Sequence, residues 1–201
     1  AWQPFFLETS EQEDARAIFA RVLTYFLLIT SGVFLAISLY IDDLVRLQIG
    51  SHTFFGSAFW AGTDLVPLFL GAYILYGLYV NLVAGVYIEK KTIYLPTITG
   101  AAALTSVGAN LILIPHMGMQ GAAVASILGY AAMVIGLYLL TKRYYPIPYE
   151  WSRLIKIVLI AGGIFTLGFL PEIDTSWIFK TCIILLYPVL LMATRFFNTE
   201  E

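Results

Sequence analysis

Between Thr92 and Thr141 the chain runs for fifty residues without a formal charge, and only His116 within it can titrate near neutrality. A soluble domain of ordinary composition would carry about a dozen charged side chains over such a length. One helical passage through a bilayer takes roughly 20 mostly apolar residues, because the hydrocarbon layer is about 30 Å thick and a helix rises 1.5 Å per residue. Fifty residues is too long for one passage and suits two. The spacing predicts helices near Pro96 to Ile114 and Gly121 to Leu140, with Ile114-Pro115-His116-Met117-Gly118 as the turn between them.

The rest of the chain repeats the pattern. No charge falls between Arg21 and Asp42, which predicts a first span from Val22 to Ile41, preceded by a capping box at Ser10-Glu11-Gln12-Glu13. A second span lies between Asp64 and Glu89, and its Pro67 is expected to kink or loosen the first turns. A fifth, from about Ser152 to Leu170, requires Arg153 and Lys156 to snorkel. A sixth, near Thr175 to Phe196, must tolerate Lys180, Pro188 and Arg195, with Pro171-Glu172-Ile173-Asp174 as the turn before it. A re-entrant or peripheral hairpin is the alternative for this last pair. The expected fold is all-α, a polytopic membrane helix bundle of about six transmembrane helices. Composition agrees, with 60% hydrophobic and 12% charged residues and a mean hydropathy of +0.84.

Basic residues orient the spans. With six crossings, Arg16, Arg21, Lys90, Lys91, Lys142, Arg143, Arg153, Lys156 and Arg195 share the side of both termini, and only Arg46 and Lys180 fall opposite. Lysine and arginine gather on cytoplasmic loops, so both ends are expected in the cytoplasm. The dibasic pairs Lys90-Lys91 and Lys142-Arg143, each directly after a span, read as membrane-interface anchors facing lipid phosphates. Trp151 joins them, with Tyr144, Tyr145 and Tyr149, as an interfacial aromatic belt.

Helices in lipid associate by close packing, so small residues four apart mark contact faces. Such stripes are Gly77-Asn81-Gly85, Ala101-Thr105-Ala109 with Gly100 and Gly108 beside it, and Gly121-Ala125-Gly129. Polar residues inside spans need a partner or a wet cavity. Asp64, Tyr73, Tyr76, Asn81 and Asn110 are therefore the candidates for a substrate path. The plainer reading has the two asparagines bonding to neighbouring backbone and Asp64 capping a helix.

No HExxH, GxSxG or P-loop pattern occurs, and His52 and His116 lie far apart in turns, so no catalytic or metal-binding residue and no cofactor is expected. The Asp42-Asp43 pair reads as a solvated helix cap. Cys182 stands alone in an apolar run and reads as a small packing residue. The net charge of -2 excludes a basic nucleic-acid footprint, so the expected partner is the lipid bilayer and no nucleic acid. The chain begins at Ala1 with no signal-peptide pattern, and Trp2-Gln3-Pro4-Phe5-Phe6 reads as the exit from a preceding helix; the expectation is a piece of a longer protein.

Three stretches carry a family likeness: Tyr87-Ile88-Glu89-Lys90-Lys91-Thr92, then Gly108 through Gly118 with its Asn110-Leu111-Ile112-Leu113-Ile114-Pro115 core, then Gly121-Ala122-Ala123. With Pro146-Ile147-Pro148-Tyr149-Glu150-Trp151, they resemble the polysaccharide biosynthesis proteins. These are the lipid-linked oligosaccharide flippases of the multidrug/oligosaccharidyl-lipid/polysaccharide exporter superfamily. The likeness covers most of the chain and is best from Pro67 to Lys156. It implies a transporter of about 12–14 helices in two lobes working by alternating access, of which this chain is the carboxy-terminal part without the amino-terminal lobe. The implied substrate is an undecaprenyl-linked oligosaccharide, moved across the cytoplasmic membrane for O-antigen, capsule or exopolysaccharide synthesis. No binding residue is carried over from the family, because no basic residue lies deep in the first four spans. A cation-coupled multidrug exporter of the same superfamily is the alternative, and a polytopic membrane enzyme of polysaccharide assembly is a second.

Overall fold

The computed structural model describes residues 2–49, 52–53, 55–169, 176–194 and 196. Among them the chain is helical nearly throughout, with α1 (Trp2–Ser10), α2 (Ala15–Val45), α3 (Val66–Ile88), α4 (Leu95–Met117), α5 (Met119–Tyr144), α6 (Trp151–Gly168) and α7 (Trp177–Ala193). A two-residue antiparallel pairing of β1 (Gln48–Ile49) with β2 (His52–Thr53) follows α2, and 3-10 segments at Ser57–Leu65 and Thr92–Tyr94 lead into α3 and α4. Five stretches are long and apolar enough to cross a membrane: Ala15–Val45, Trp60–Ile88, Thr92–Met117, Met119–Tyr144 and Trp151–Gly168. The protein is an all-α, multi-pass membrane protein. The sixth apolar helix, α7, has 17 residues and is thus about 26 Å long, the short end of what a span requires. The expected turn at Pro171–Asp174, and Arg195, lie outside the described residues.

Local signals place some boundaries differently from the hydropathy reading. Ser10 does not cap α2; it ends α1, where its hydroxyl donates to the Leu7 carbonyl at 2.7 Å, and α2 starts at Ala15. Pro67 is the second residue of α3, a position whose N–H has no helical partner anyway, so the loosened geometry lies before it in the 3-10 segment. The turn expected over Ile114–Gly118 shrinks to Gly118 alone, since α4 continues through Pro115 to Met117. Gly118 has φ +56 and ψ −131, a backbone shape that a side chain resists, and its N–H closes α4 on the Ile114 carbonyl at 2.8 Å.

Two compact units emerge from the contacts. The first comprises Ala1–Phe26 and Leu68–Glu150. In it α4 and α5 form an antiparallel hairpin, held close by glycines on α5. A Cβ added at Gly121 would lie 2.5 Å from the Leu113 carbonyl oxygen, one at Gly129 2.9 Å from the Ser106 Cβ, and one at Gly136 3.2 Å from Ile98. On α4 the packed face is therefore Ile98, Ala102 and Ser106. The Ala101-Thr105-Ala109 stripe is displaced from it: Ala101 and Thr105 are exposed, and Gly100 and Gly108 have open space beside them. Helix α3 packs Leu82, Val83 and Val86 against Leu137 of α5, and Gly85 lies against Thr141 and Tyr145. Phe6 of α1 meets Phe19 edge to face, and both join Ala15, Ala84 and Tyr145. Tyr145 is buried in that cluster and so is not part of an interfacial belt. Tyr149, in the segment after α5, is half-buried; burial raises its phenol well above the ordinary range, and the nearby Tyr138 adds to the shift.

The second unit comprises Leu27–Pro67 and Trp151–Glu201. Helix α2 packs on α6 where Leu39 covers Gly168 and Phe34 meets Phe165 at 5.2 Å between ring centres. It reaches α7 through polar contacts. The Tyr187 hydroxyl lies 2.6 Å from Ser31 Oγ and donates to the Leu28 carbonyl at 3.0 Å, with Gly32 making room for the ring. The Tyr40 hydroxyl lies 2.6 Å from Thr181 Oγ1. Cys182 faces outward from α7 rather than packing, because the buried positions of that helix are Ile183, Tyr187 and Leu191.

Candidate functional site

Tyr73 and Tyr76 stand one helical turn apart on α3, and both meet a residue that hydropathy did not single out, Tyr130 of α5. The ring centres lie 6.3 and 5.4 Å from Tyr130, and Tyr79 stacks on Tyr76 at 6.1 Å. Tyr73 is 62% exposed and Tyr76 43%. Tyr130 also lines a groove of about 250 Å³ between α4 and α5, with Thr99, Ala102, Ala103, Ser106, Ser126, Gly129 and Met133. The groove exists because small residues on facing turns leave volume there. Thr99 and Ser126 donate to the Leu95 and Ala122 carbonyls of their own helices, at 2.9 and 3.0 Å, which leaves their oxygens able to accept. The result is a strip of neutral hydroxyls and phenols along apolar helices. Such groups can hydrogen-bond a polar, uncharged ligand and offer ring faces for stacking. The signal in the sequence was Tyr130 itself, a phenol set between Gly129 and Ala131-Ala132 near the middle of an apolar span.

The other path candidates are placed apart from this strip. Asn81 is buried and donates to the Gly77 carbonyl at 2.9 Å, while its Oδ1 is enclosed without a hydrogen bond among the described residues. Asn110 is half-buried and donates to the Ser106 carbonyl at 2.8 Å, so it braces the wall of the groove from one turn away. Asp64 belongs to the second unit, is exposed, and lies within the 3-10 segment before α3. Its neighbour Thr63 makes the tertiary contact instead, donating to Asp42 Oδ1 at 2.7 Å.

In the second unit a cleft of about 560 Å³ opens among Asp42, Asp43, Arg46, Leu47, Gln48, Trp177 and Lys180. Asp43 and Lys180 form an ion pair across 137 residues of sequence, both ends half-buried. The Lys180 ammonium also sits 5.7 Å from the Tyr40 ring centre, and Arg46 lies 5.5 Å from that of Trp60. Asp42-Asp43 is thus not a simply solvated cap; Thr63 and Lys180 each engage one of the carboxylates.

The basic residues expected as anchors in the first unit come together. Lys91 and Arg143 lie 5.3 and 5.6 Å from the ring centre of Tyr144, on which Tyr94 stacks at 6.1 Å. Lys90 and Lys142 flank them, exposed. Trp151 opens α6 in the second unit and is 51% exposed. Among the described residues no three His, Cys, Asp or Glu side chains gather as a metal would require. No family model matches the chain, and no curated protein and no solved structure matches it.

Proposed function

We propose that the chain is part of a transporter that flips lipid-linked oligosaccharide across the cytoplasmic membrane for surface polysaccharide synthesis, by alternating access. The observation that carries this reading is the hydroxyl-and-phenol strip of Tyr73, Tyr76, Tyr130, Thr99, Ser106 and Ser126 on membrane-length helices. Neutral hydrogen-bonding groups and aromatic faces suit a sugar, and a polyprenyl tail can stay in the lipid beside them. The order of elements from Pro67 to Lys156 supports the same reading, through its likeness to the oligosaccharide flippases.

Both ends of the chain are placed in the cytoplasm in this proposal. Within the first unit, Arg16, Lys91 and Arg143 gather on the adjacent rings of Tyr145 and Tyr144. Within the second, Lys156 donates to the Thr194 carbonyl at 3.0 Å and Arg153 stacks on Phe196, while Arg46 and Lys180 share the cleft at the opposite ends of α6 and α7. That grouping supports α7 as a sixth crossing and the positive-inside orientation. Single cysteines at Lys90 and Thr53 should then label from opposite sides; labelling from one side breaks the topology.

The full natural chain, reconstituted in proteoliposomes with a lipid-linked oligosaccharide, should make the sugar accessible from the far side. Tyr130→Ala should slow this about tenfold or more, a loss of roughly 1.4 kcal/mol of transition-state stabilisation, with Tyr130→Phe between. Vesicles that leave the sugar in place yet extrude a cationic dye down a sodium or proton gradient would favour the drug-exporter reading.

A further inference from the structure

We propose that Lys91 and Arg143, held against the Tyr144 ring on which Tyr94 stacks, form with the exposed Lys90 next to Lys91 a binding site for the phosphate of an anionic phospholipid headgroup. Two dibasic pairs more than fifty residues apart in sequence become one patch here, because Lys91 and Arg143 both lie against the Tyr144 ring. Among the described residues none of these cations, nor Lys142 beside them, forms an ion pair, so the patch presents its charge outward.

Position selects the ligand. The patch lies where α3 and α5 end and the segment into α4 begins, at the ends of three membrane-length stretches, which is the depth of lipid headgroups. Tyr94 and Tyr144 suit that depth, with an apolar ring and a polar tip. Ile93, adjacent to Tyr94, is 79% exposed and offers an acyl chain an apolar neighbour that a free anion would not use. A guanidinium and an ammonium held near one ring can donate jointly to phosphate oxygens, the ring limiting their freedom.

The backbone supplies an independent observation. Lys90 has φ +53, the left-handed conformation that ends α3: its N–H bonds the Tyr87 carbonyl at 3.1 Å, and the Lys91 N–H bonds the Val86 carbonyl at 2.9 Å. Glycine is the usual occupant of that position because, lacking Cβ, it meets no steric penalty there. A lysine in its place carries strain that a charge contact at the headgroup offsets.

Native mass spectrometry and thermal melts of the full chain in nanodiscs test the site, with phosphatidylcholine alone or mixed with phosphatidylglycerol or cardiolipin. Each cation removed should weaken anionic-lipid binding roughly fivefold, so Lys91→Gln with Arg143→Gln should lose about 25-fold. Lys156→Gln, a cation engaged elsewhere, should stay within about twofold. Lys90→Gly should melt higher in phosphatidylcholine yet bind anionic lipid less, a combination that misfolding cannot produce. An unchanged lipid preference in the double variant, or an equal loss in Lys156→Gln, overturns the proposal. So does full displacement of the lipid by millimolar inorganic phosphate, which would mark a soluble-anion site.

Discussion

The α4–α5 hairpin of the first unit and the α2–α7 pairing of the second hold helices together by opposite means. Between α4 and α5 the contact is made of absent side chains: Gly121, Gly129 and Gly136 let backbone approach backbone. Between α2 and α7 the contact is made of polar groups: Ser31 with Tyr187, Tyr40 with Thr181, Asp43 with Lys180. Lipid tails are as apolar as leucine, so burial of leucine gives no drive to pair helices there, and these are the two routes that remain. The first depends on shape and fails when volume is added. The second depends on partners and fails when one is removed.

The largest effect is expected where volume is added. Gly121→Leu drives a side chain into the Leu113 carbonyl and should cost about 3 kcal/mol, the upper range for overpacking. Unfolding of the purified protein in mixed micelles reads it, and a cost below 1 kcal/mol would mean that the hairpin opens without resistance. Next comes Lys180→Ala, which leaves Asp43 without its cation. The pair is 14% and 25% exposed, so the loss should fall between surface and buried pairs, at about 1–2 kcal/mol. A double-mutant cycle with Asp43→Ala isolates the coupling; a sum of the two single losses with no coupling would reduce the pair to a bystander. Smaller again is Tyr187→Phe, which removes one hydroxyl and two contacts while the ring still fills the space beside Gly32. Interhelical hydrogen bonds in membranes average about 0.6 kcal/mol, so the loss should be about 0.5–1.5. Ser31→Ala should lose less, because the Tyr187 hydroxyl keeps the Leu28 carbonyl.

Much of this molecule was legible in the residues, and the misreadings have common causes. Hydropathy located the four strongest spans, with α2 starting seven residues before the expected Val22 and the other ends closer, because exclusion of charge from hydrocarbon is a long, redundant signal. It misplaced Ser10 and the Ile114–Gly118 turn because capping and turn signals rest on one or two side chains. Pro115 is tolerated in the last turns of α4, and Ser10 satisfies its own helix before it can begin the next. The glycine face of α5 was readable, since Gly121, Ala125 and Gly129 share a stripe; the matching face of α4 was not. Ala101-Thr105-Ala109 and Ala102-Ser106 are equally small and differ by a rotation of one residue, and only a partner helix can choose between them.

The candidate site divides in the same way. Tyr73 and Tyr76 could be named because two phenols on one face of an apolar helix are unusual. Tyr130 could not be joined to them, nor Lys180 to Asp43, nor Lys91 to Arg143, because nothing in the intervening chain states the distance between two helices. The sequence by itself determined that the chain folds as apolar helices, most of them long enough to cross a membrane, because that follows from the transfer of single residues between water and hydrocarbon. Which helix faces which, and hence which phenols, carboxylates and cations meet, was decided only in the tertiary structure, because packing in lipid turns on steric fit and partner geometry rather than on how apolar a residue is.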